Sequence, residues 1–396
     1  MVKFSILPDY LEKCLFNNLD GHRIHGRLQR SFGESLEKRM TARERFLTAI
    51  NLGKPDRVPM FDFLFQEPLY ESLIGHKPGS YNGPDALELA KKLNMDGIWV
   101  PLAGFQGYSP EWIDDKTYKD EWGTVFTRSD VSWPIDSPIR YPINNREDFE
   151  KYVCPDPMLP GRDLDLRQTI ANNKDSQLAI TCGIQGPLTT AWLLMGFEQI
   201  SFAVYDDPAL LESVFAMSND FFKKAAKIAV DCGIDGIWVS EDLGDSRSVF
   251  FRKEQYVEHF YPYLKDLVDY VDSLGVPALL HSCGCIWDYM DLIADTKIKS
   301  IHPLQRTAGM ELKRAKEEYG KRFCIIGNID SSVTLPFGTP AQVRAEVKQA
   351  IADAAPDGGY ILASDHSLHD GISVDNIKAM FDEGLKSGTA IYRASD

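Results

Sequence analysis

Eight short apolar runs, each ending in a polar or small residue, constrain the fold of this chain more than any other feature. They are RVPMFDF around Met60, DGIWV around Trp99, QLAITC around Ile180, DGIWVS around Trp238, VPALLH around Leu280, IKSIH around Ile301, RFCIIG around Ile325 and YILAS around Ile361. Runs that are apolar throughout, rather than alternating, suit parallel strands covered on both faces. Between them lie segments with apolar positions three and four apart. PALLESVFAMSNDFFKKAAKIAVDCG closes on a glycine, and PAQVRAEVKQAIADAAPDGG opens on Pro340 and stops at Pro356 and Gly358. Strand then helix, repeated in this way, is the pattern of an α/β protein of the (β/α)8 TIM-barrel class. The rival, an open doubly wound sheet, is disfavoured because no glycine-rich dinucleotide fingerprint follows the first run.

The interval from 104 to 176, between the second and third runs, is too long for a loop and contains the strand-like text DEWGTVFTRSDVSW. It is expected to be a lid or subdomain inserted over the barrel mouth. Residues 1–40 are expected to form a separate helical extension ahead of TARERFLTAI, where Thr41 and Glu44 have the spacing of a capping box, so the barrel would span 41–396. The first residues carry charges among their apolar positions and no small-residue cleavage site, which predicts a cytoplasmic protein. The longest uncharged stretch, Ser176 to Phe197, is interrupted by Gly183, Gln185, Gly186 and Pro187 and predicts no membrane span. A net charge of −15 disfavours nucleic acid and acidic membrane surfaces as partners. Seven scattered cysteines, an odd number, predict reduced thiols rather than a disulfide framework.

In barrel enzymes the working side chains sit at the C-terminal ends of the strands. The fourth run leads into SEDLGDS, with Glu241, Asp242 and Asp245; the fifth ends in HSCGC, with His281 and Cys283; the eighth leads into SDHSLHD, with Asp365, His366 and His369. Imidazole, thiolate and carboxylate are the ligand types of a catalytic zinc site. His281 and Cys283 can address one ion if the backbone bends at Gly284. The same spacing also suits a satisfied buried histidine beside an ordinary small buried thiol. His302, at the end of the sixth run, is not among the expected ligands.

The stretches TARERFLTAINLGKPDRVP, GPLTTAWLLMGFEQI, YPYLKDLVDYVDSLGVPALLHSCG, IIGNIDSSVTLPFGTPAQVRAEV and GGYILASDHSLHDGISVDNIKAM resemble the uroporphyrinogen decarboxylase superfamily, and within it the corrinoid-dependent, methylcobamide-type methyltransferase branch. The resemblance covers most of the chain from about Thr41 onward and implies a (β/α)8 barrel, in agreement with the strand count. It also implies a Zn2+ ion held by His281, Cys283 and a later residue. Counted back from Asn376, that later position is His366, where the coenzyme M methyltransferase pattern has cysteine. Glu241, or alternatively Asp242 or water, is the expected fourth ligand. The resemblance further implies a monomer or homodimer.

Decarboxylases of the superfamily resemble one another in an Arg-rich loop after the first strand. Here Val58 to His76 contains no Lys or Arg, and a polyanionic substrate would meet Asp62, Glu67 and Glu71. A neutral methyl ether or alcohol needs no basic clamp, but its oxygen leaves poorly without a Lewis acid. The expected function is therefore zinc-dependent methyl transfer. The methyl group would move from a small donor, a methoxylated aromatic or another methyl ether or alcohol, to the Co(I) of a corrinoid (cobalamin) carried by a partner protein. Cofactor-free decarboxylation of the porphyrinogen type and methylcobamide:thiol methyl transfer are the alternatives. Asp242 or Glu241 is expected to handle a proton, and Phe63, Phe65, Trp99, Gln185, Trp238 and Asn328 to contact the substrate.

Overall fold

The computed structural model describes residues 39–103, 107–128 and 134–393, so the extension expected over 1–40 lies almost wholly outside the described residues. Seven strands form one parallel sheet in chain order: Gly97–Pro101, Ala179–Gln185, Gly236–Ser240, Ala278–His281, Ser300–His302, Cys324–Ile329 and Tyr360–Ser364. They are the second to eighth apolar runs of the sequence. The first run adds a single parallel bridge, Met60 to Leu362, flanked by hydrogen bonds from Phe61 N to Leu362 O (3.0 Å) and from Leu362 N to Pro59 O (2.9 Å).

Two carboxylates explain why so little regular ladder surrounds this first run. Asp62 accepts from Ser364 N (2.8 Å) and Ser364 Oγ (2.9 Å) on the eighth strand. On the other side Asp96 accepts from Met60 N (2.8 Å) while its own N–H donates to Met60 O (2.8 Å). Side-chain oxygens thus take acceptor positions that a backbone carbonyl would otherwise fill. Through them the first run joins both the eighth and the second strand, and the ring closes as a (β/α)8 barrel. Asp62 is 1% exposed and committed to the eighth strand, so it does not face a substrate as the sequence suggested.

Asp96 also gathers two guanidinium groups at this join. Arg45 Nη1 lies 2.6 Å from Asp96 Oδ1, and Arg57 donates to both carboxylate oxygens at 2.8 and 2.9 Å. Arg45 comes from the helix Ala42–Ile50, whose start is fixed by the capping box: Thr41 Oγ1 accepts from Glu44 N (3.1 Å) and Glu44 Oε2 from Thr41 N (2.7 Å).

The barrel interior is filled by rings that form a floor for the mouth. Phe61 stacks on Trp238 at 5.1 Å. Two residues on, and hence on the same face, Phe63 meets Trp99, Trp238, His281 and His302 at steep angles with centroids 5.2–5.5 Å away. Burying a ring of this size contributes about 2 kcal/mol.

Between the second and third strands the chain forms a four-stranded antiparallel sheet: Glu111–Trp112, Thr117–Lys119, Val125–Thr127 and Ser137–Arg140. The helices Arg146–Lys151 and Leu164–Asn172 follow. Trp122 of this segment packs against Phe221 (4.5 Å) and Phe222 (5.6 Å) of the helix Pro208–Cys232, and buried Arg162 pairs end-on with Glu121 at 2.8 and 2.6 Å. Among the described residues no helix is long and apolar enough to cross a membrane.

Candidate metal centre

The two-residue period of a strand explains the His-x-Cys spacing. His281 and Cys283 turn to the barrel mouth, whereas Ser282 between them is buried and its Oγ accepts from Leu243 N (3.1 Å). Cys283 Sγ lies 3.3 Å from His281 Nε2. His366, two residues past the eighth strand, joins them, so that one ligand atom from each of the three lies within 4.8 Å of the others. Gly284 has φ +79, and a Cβ there would stand 2.3 Å from Gly244 O; only glycine allows the chain to turn away at this point.

The donor set fits zinc. Tetrahedral Zn–N and Zn–S bonds put neighbouring ligand atoms about 3.3–3.8 Å apart, close to the spacing found between His281 and Cys283. His281 Nδ1 lies 2.8 Å from His302 Nδ1, and the two residues are register partners on adjacent strands. When His281 donates in that bond, its Nε2 carries the lone pair facing Cys283, the tautomer a metal requires. His366 Nδ1 is likewise engaged, with Ser367 Oγ at 2.9 Å, leaving Nε2. Burial pushes His281 down to about 4 and lowers His366, so both rings are neutral at pH 7. Burial raises the Cys283 thiol, and the Asp242 carboxylate raises it further, so a thiolate there needs a cation beside it.

Glu241 is not brought to this cluster. It is fully buried on the opposite side of its strand end from Ser240 and Asp242, which both line the mouth. Its carboxylate accepts from Leu188 N (3.0 Å) and Thr189 N (2.9 Å) at the start of the helix Pro187–Met195, whose N-cap is Gly186 and has no side chain to do so. Burial pushes this carboxyl up to about 8 against the two amides. Glu241 is therefore neither placed as a ligand nor available to a substrate. Glu241→Gln is expected to lower stability by about 1–2 kcal/mol, measured by urea denaturation, while zinc content is unchanged. Loss of zinc in that variant would return Glu241 to the ligand set.

Asp242 does reach the mouth. Its Oδ1 accepts from Cys283 N (3.0 Å) and its own N–H donates to Thr189 Oγ1 (2.9 Å). The other polar candidates are committed elsewhere. Asp245 accepts from Arg247 N and Ser248 N, Asp365 binds Ser331 and Arg306 N, and His369 Nε2 faces Ser331 O at 3.1 Å.

Above the three ligands opens a cavity of about 450 Å³, lined in part by Phe63, Phe65, Trp99 and Gln185, as the sequence suggested. Trp238 and Asn328 do not line it. Trp238 sits one layer below the mouth, fully buried, with Nε1 donating to Thr181 Oγ1 (2.9 Å). Asn328 spends its amide on Leu304 O (3.1 Å) and Met310 O (3.2 Å). The wall also holds Tyr118, Trp122 and Phe126, from the aromatic-rich insert expected over the mouth, and Phe221 and Phe222, which the sequence did not point to. His302 was also missed as a supporting residue, although its alignment with His281 at the end of the next strand was the available signal.

The chain matches the family model described as uroporphyrinogen decarboxylase (URO-D) over residues 134–384, more than half its length. It is 27% identical over 320 residues to the methylcobamide:CoM methyltransferase MtbA of Methanosarcina acetivorans, covering 79% of this chain and 89% of that one. It is 23% identical over 267 residues to the uroporphyrinogen decarboxylase of Pelodictyon phaeoclathratiforme, covering 63% and 72%. Among solved structures, a methyltransferase from Methanosarcina mazei superposes with a TM-score of 0.69 at 18% identity over 88% of this chain and 99% of the other, a likeness of fold. With strand order, barrel closure and family model in agreement, the chain belongs to the uroporphyrinogen decarboxylase family.

Proposed function

We propose that this chain is a zinc-dependent methyltransferase that moves a methyl group from a small methyl ether or alcohol to the Co(I) of a corrinoid carried by a partner protein. The observation that carries this reading is the convergence of His281, Cys283 and His366 at the floor of an aromatic cavity. Zinc bound there would supply Lewis acidity towards the donor oxygen. The residues of the chain do the rest. Phe63 supports the floor beneath His281, and Phe65 and Trp99 give the donor an apolar wall that excludes water. As the methyl carbon passes to cobalt, the C–O bond breaks and the oxygen keeps the bonding pair. Asp242, beside Cys283 on the cavity wall, is placed to relay a proton to that oxygen.

The methyltransferase among the relatives supports this reading over decarboxylation. So does the charge of the cavity: Arg162 is the only cation among its described lining residues, and Glu121 already neutralises it. Such a wall does not suit a substrate with many carboxylates. The test is to incubate the purified chain with chemically reduced cobalamin and a panel of methyl ethers, alcohols and thioethers, following the cobalt spectrum. Zinc-dependent formation of methylcobalamin from an oxygen-bound methyl group is expected. Its absence across the panel, with decarboxylation of a porphyrinogen instead, would overturn the proposal.

A further inference from the structure

One part of the cavity lining comes from the inserted sheet and the helix Pro208–Cys232, elements separate from the strand ends that carry the metal ligands, and its chemistry is specific. Tyr118, Trp122, Phe126, Phe221 and Phe222 give it ring faces. Its charges are unbalanced. Among the described residues Asp120, Glu121 and Asp136 line it, against the single guanidinium of Arg162. That guanidinium is 4% exposed, donates from both terminal nitrogens to Glu121, and lies over Tyr108 and Phe221 at 5.1 and 5.5 Å. Its end-on fork is taken by Glu121, and Nη2 also donates to Asp156 O (2.9 Å), so it braces the insert and has no terminal pair to offer a ligand.

Asp120 differs from its neighbours. It sits at the tight turn between Thr117–Lys119 and Val125–Thr127, where its Oδ1 accepts from Trp122 N (3.0 Å) and Thr124 N (2.9 Å). Those two bonds commit Oδ1 to the turn, and Asp120 itself lines the cavity, where its second oxygen is the one not used by them. A ring entering here therefore meets π faces and a carboxyl group, with no free cation among the described residues to receive an anion.

We infer that the cavity selects an uncharged phenolic methyl ether as donor, with Asp120 accepting the phenol O–H, and discriminates against the corresponding methoxybenzoates. This rests on the methyltransferase reading above and names its substrate class. A ring carboxylate would be desolvated beside Asp120 and Asp136 with no partner, whereas a phenol hydroxyl pairs with Asp120 directly. A quaternary ammonium would also suit the rings and carboxylates. It is disfavoured because its leaving group is a neutral amine, which has no need of a Lewis acid on the cavity floor.

Trp99, Trp122 and Trp192 line the cavity, so ligand binding can be read directly from tryptophan fluorescence of the purified full chain without any corrinoid partner. Four ligands suffice: para-methoxyphenol, methoxybenzene, para-methoxybenzoate and phenyltrimethylammonium. Para-methoxyphenol is expected to bind at least about tenfold more tightly than the other three. In Asp120→Asn, where Oδ1 can still hold the turn but the second acceptor becomes a donor, its advantage over methoxybenzene is expected to disappear while methoxybenzene binding stays the same. Equal or tighter binding of the benzoate or the ammonium ion would overturn the inference. So would an advantage of the phenol that Asp120→Asn leaves intact. Because this readout is independent of cobalt methylation, the preference can fail while methyl transfer stands, and methyl transfer can fail while the preference stands.

Discussion

Cys283→Ala is expected to leave a folded chain that retains almost no zinc and loses methyl transfer to cobalt by about a thousandfold or more. Cys283 supplies the only thiolate among the three side chains that meet at the floor of the cavity. Without it two neutral imidazoles remain, too few protein ligands to hold zinc tightly. The fold should tolerate the change because Cys283 is only partly buried, and the bond from its N–H to Asp242 survives in alanine. Metal analysis after gel filtration, together with the cobalt-methylation rate, measures both effects. A complementary variant, His366→Cys, exchanges one zinc ligand for another and is expected to keep about one zinc per chain. If Cys283→Ala binds zinc as the parent does, the thiolate is not a ligand.

The largest effect on stability is expected at the opposite side of the problem, where the barrel closes. Asp96→Ala should destabilise the fold by about 3–5 kcal/mol, because it takes the shared carboxylate from two largely covered guanidinium groups and leaves Met60 N–H without its acceptor. Arg45 keeps a second carboxylate, Asp56, within hydrogen-bond distance, whereas Arg57 is bonded to Asp96 and to two backbone carbonyls. Most of the loss is thus assigned to Arg57 and to the first strand. Urea denaturation followed by circular dichroism measures it, and a change below about 1 kcal/mol would mean that the first run is held by other contacts.

The barrel was legible in the sequence because parallel strands covered on both faces leave uninterrupted apolar runs, and all eight runs lie on its wall. The first could be seen as a run but not as a bridge, since nothing in RVPMFDF shows that Asp62 and Asp96 take over its hydrogen bonds. Ligand types at strand ends were legible for the same reason that the strands were. His281 and Cys283 are two residues apart on one face, and the resemblance to known methyltransferases supplied His366. The choice between Glu241 and Asp242 was not made, although the strand period separates them: Ser240 and Asp242 share the mouth face, and Glu241 turns to a helix start more than fifty residues earlier in the chain. The same period puts Trp238 one layer too deep. The aromatic wall was legible only on the side of the insert, and its pairing with Phe221 and Phe222 was hidden for a different reason. Tyr118 and Phe222 belong to segments whose meeting depends on how the insert folds back, and no local pattern encodes that.

The zinc assignment is tested most directly by zinc K-edge X-ray absorption on the purified, metal-replete chain. One sulfur at about 2.3 Å and nitrogen or oxygen neighbours at about 2.0 Å are expected, with the sulfur contribution absent in Cys283→Ser. A spectrum with no sulfur neighbour in the parent chain, or stoichiometric zinc whose spectrum is the same in Cys283→Ser, would contradict a site built from His281, Cys283 and His366.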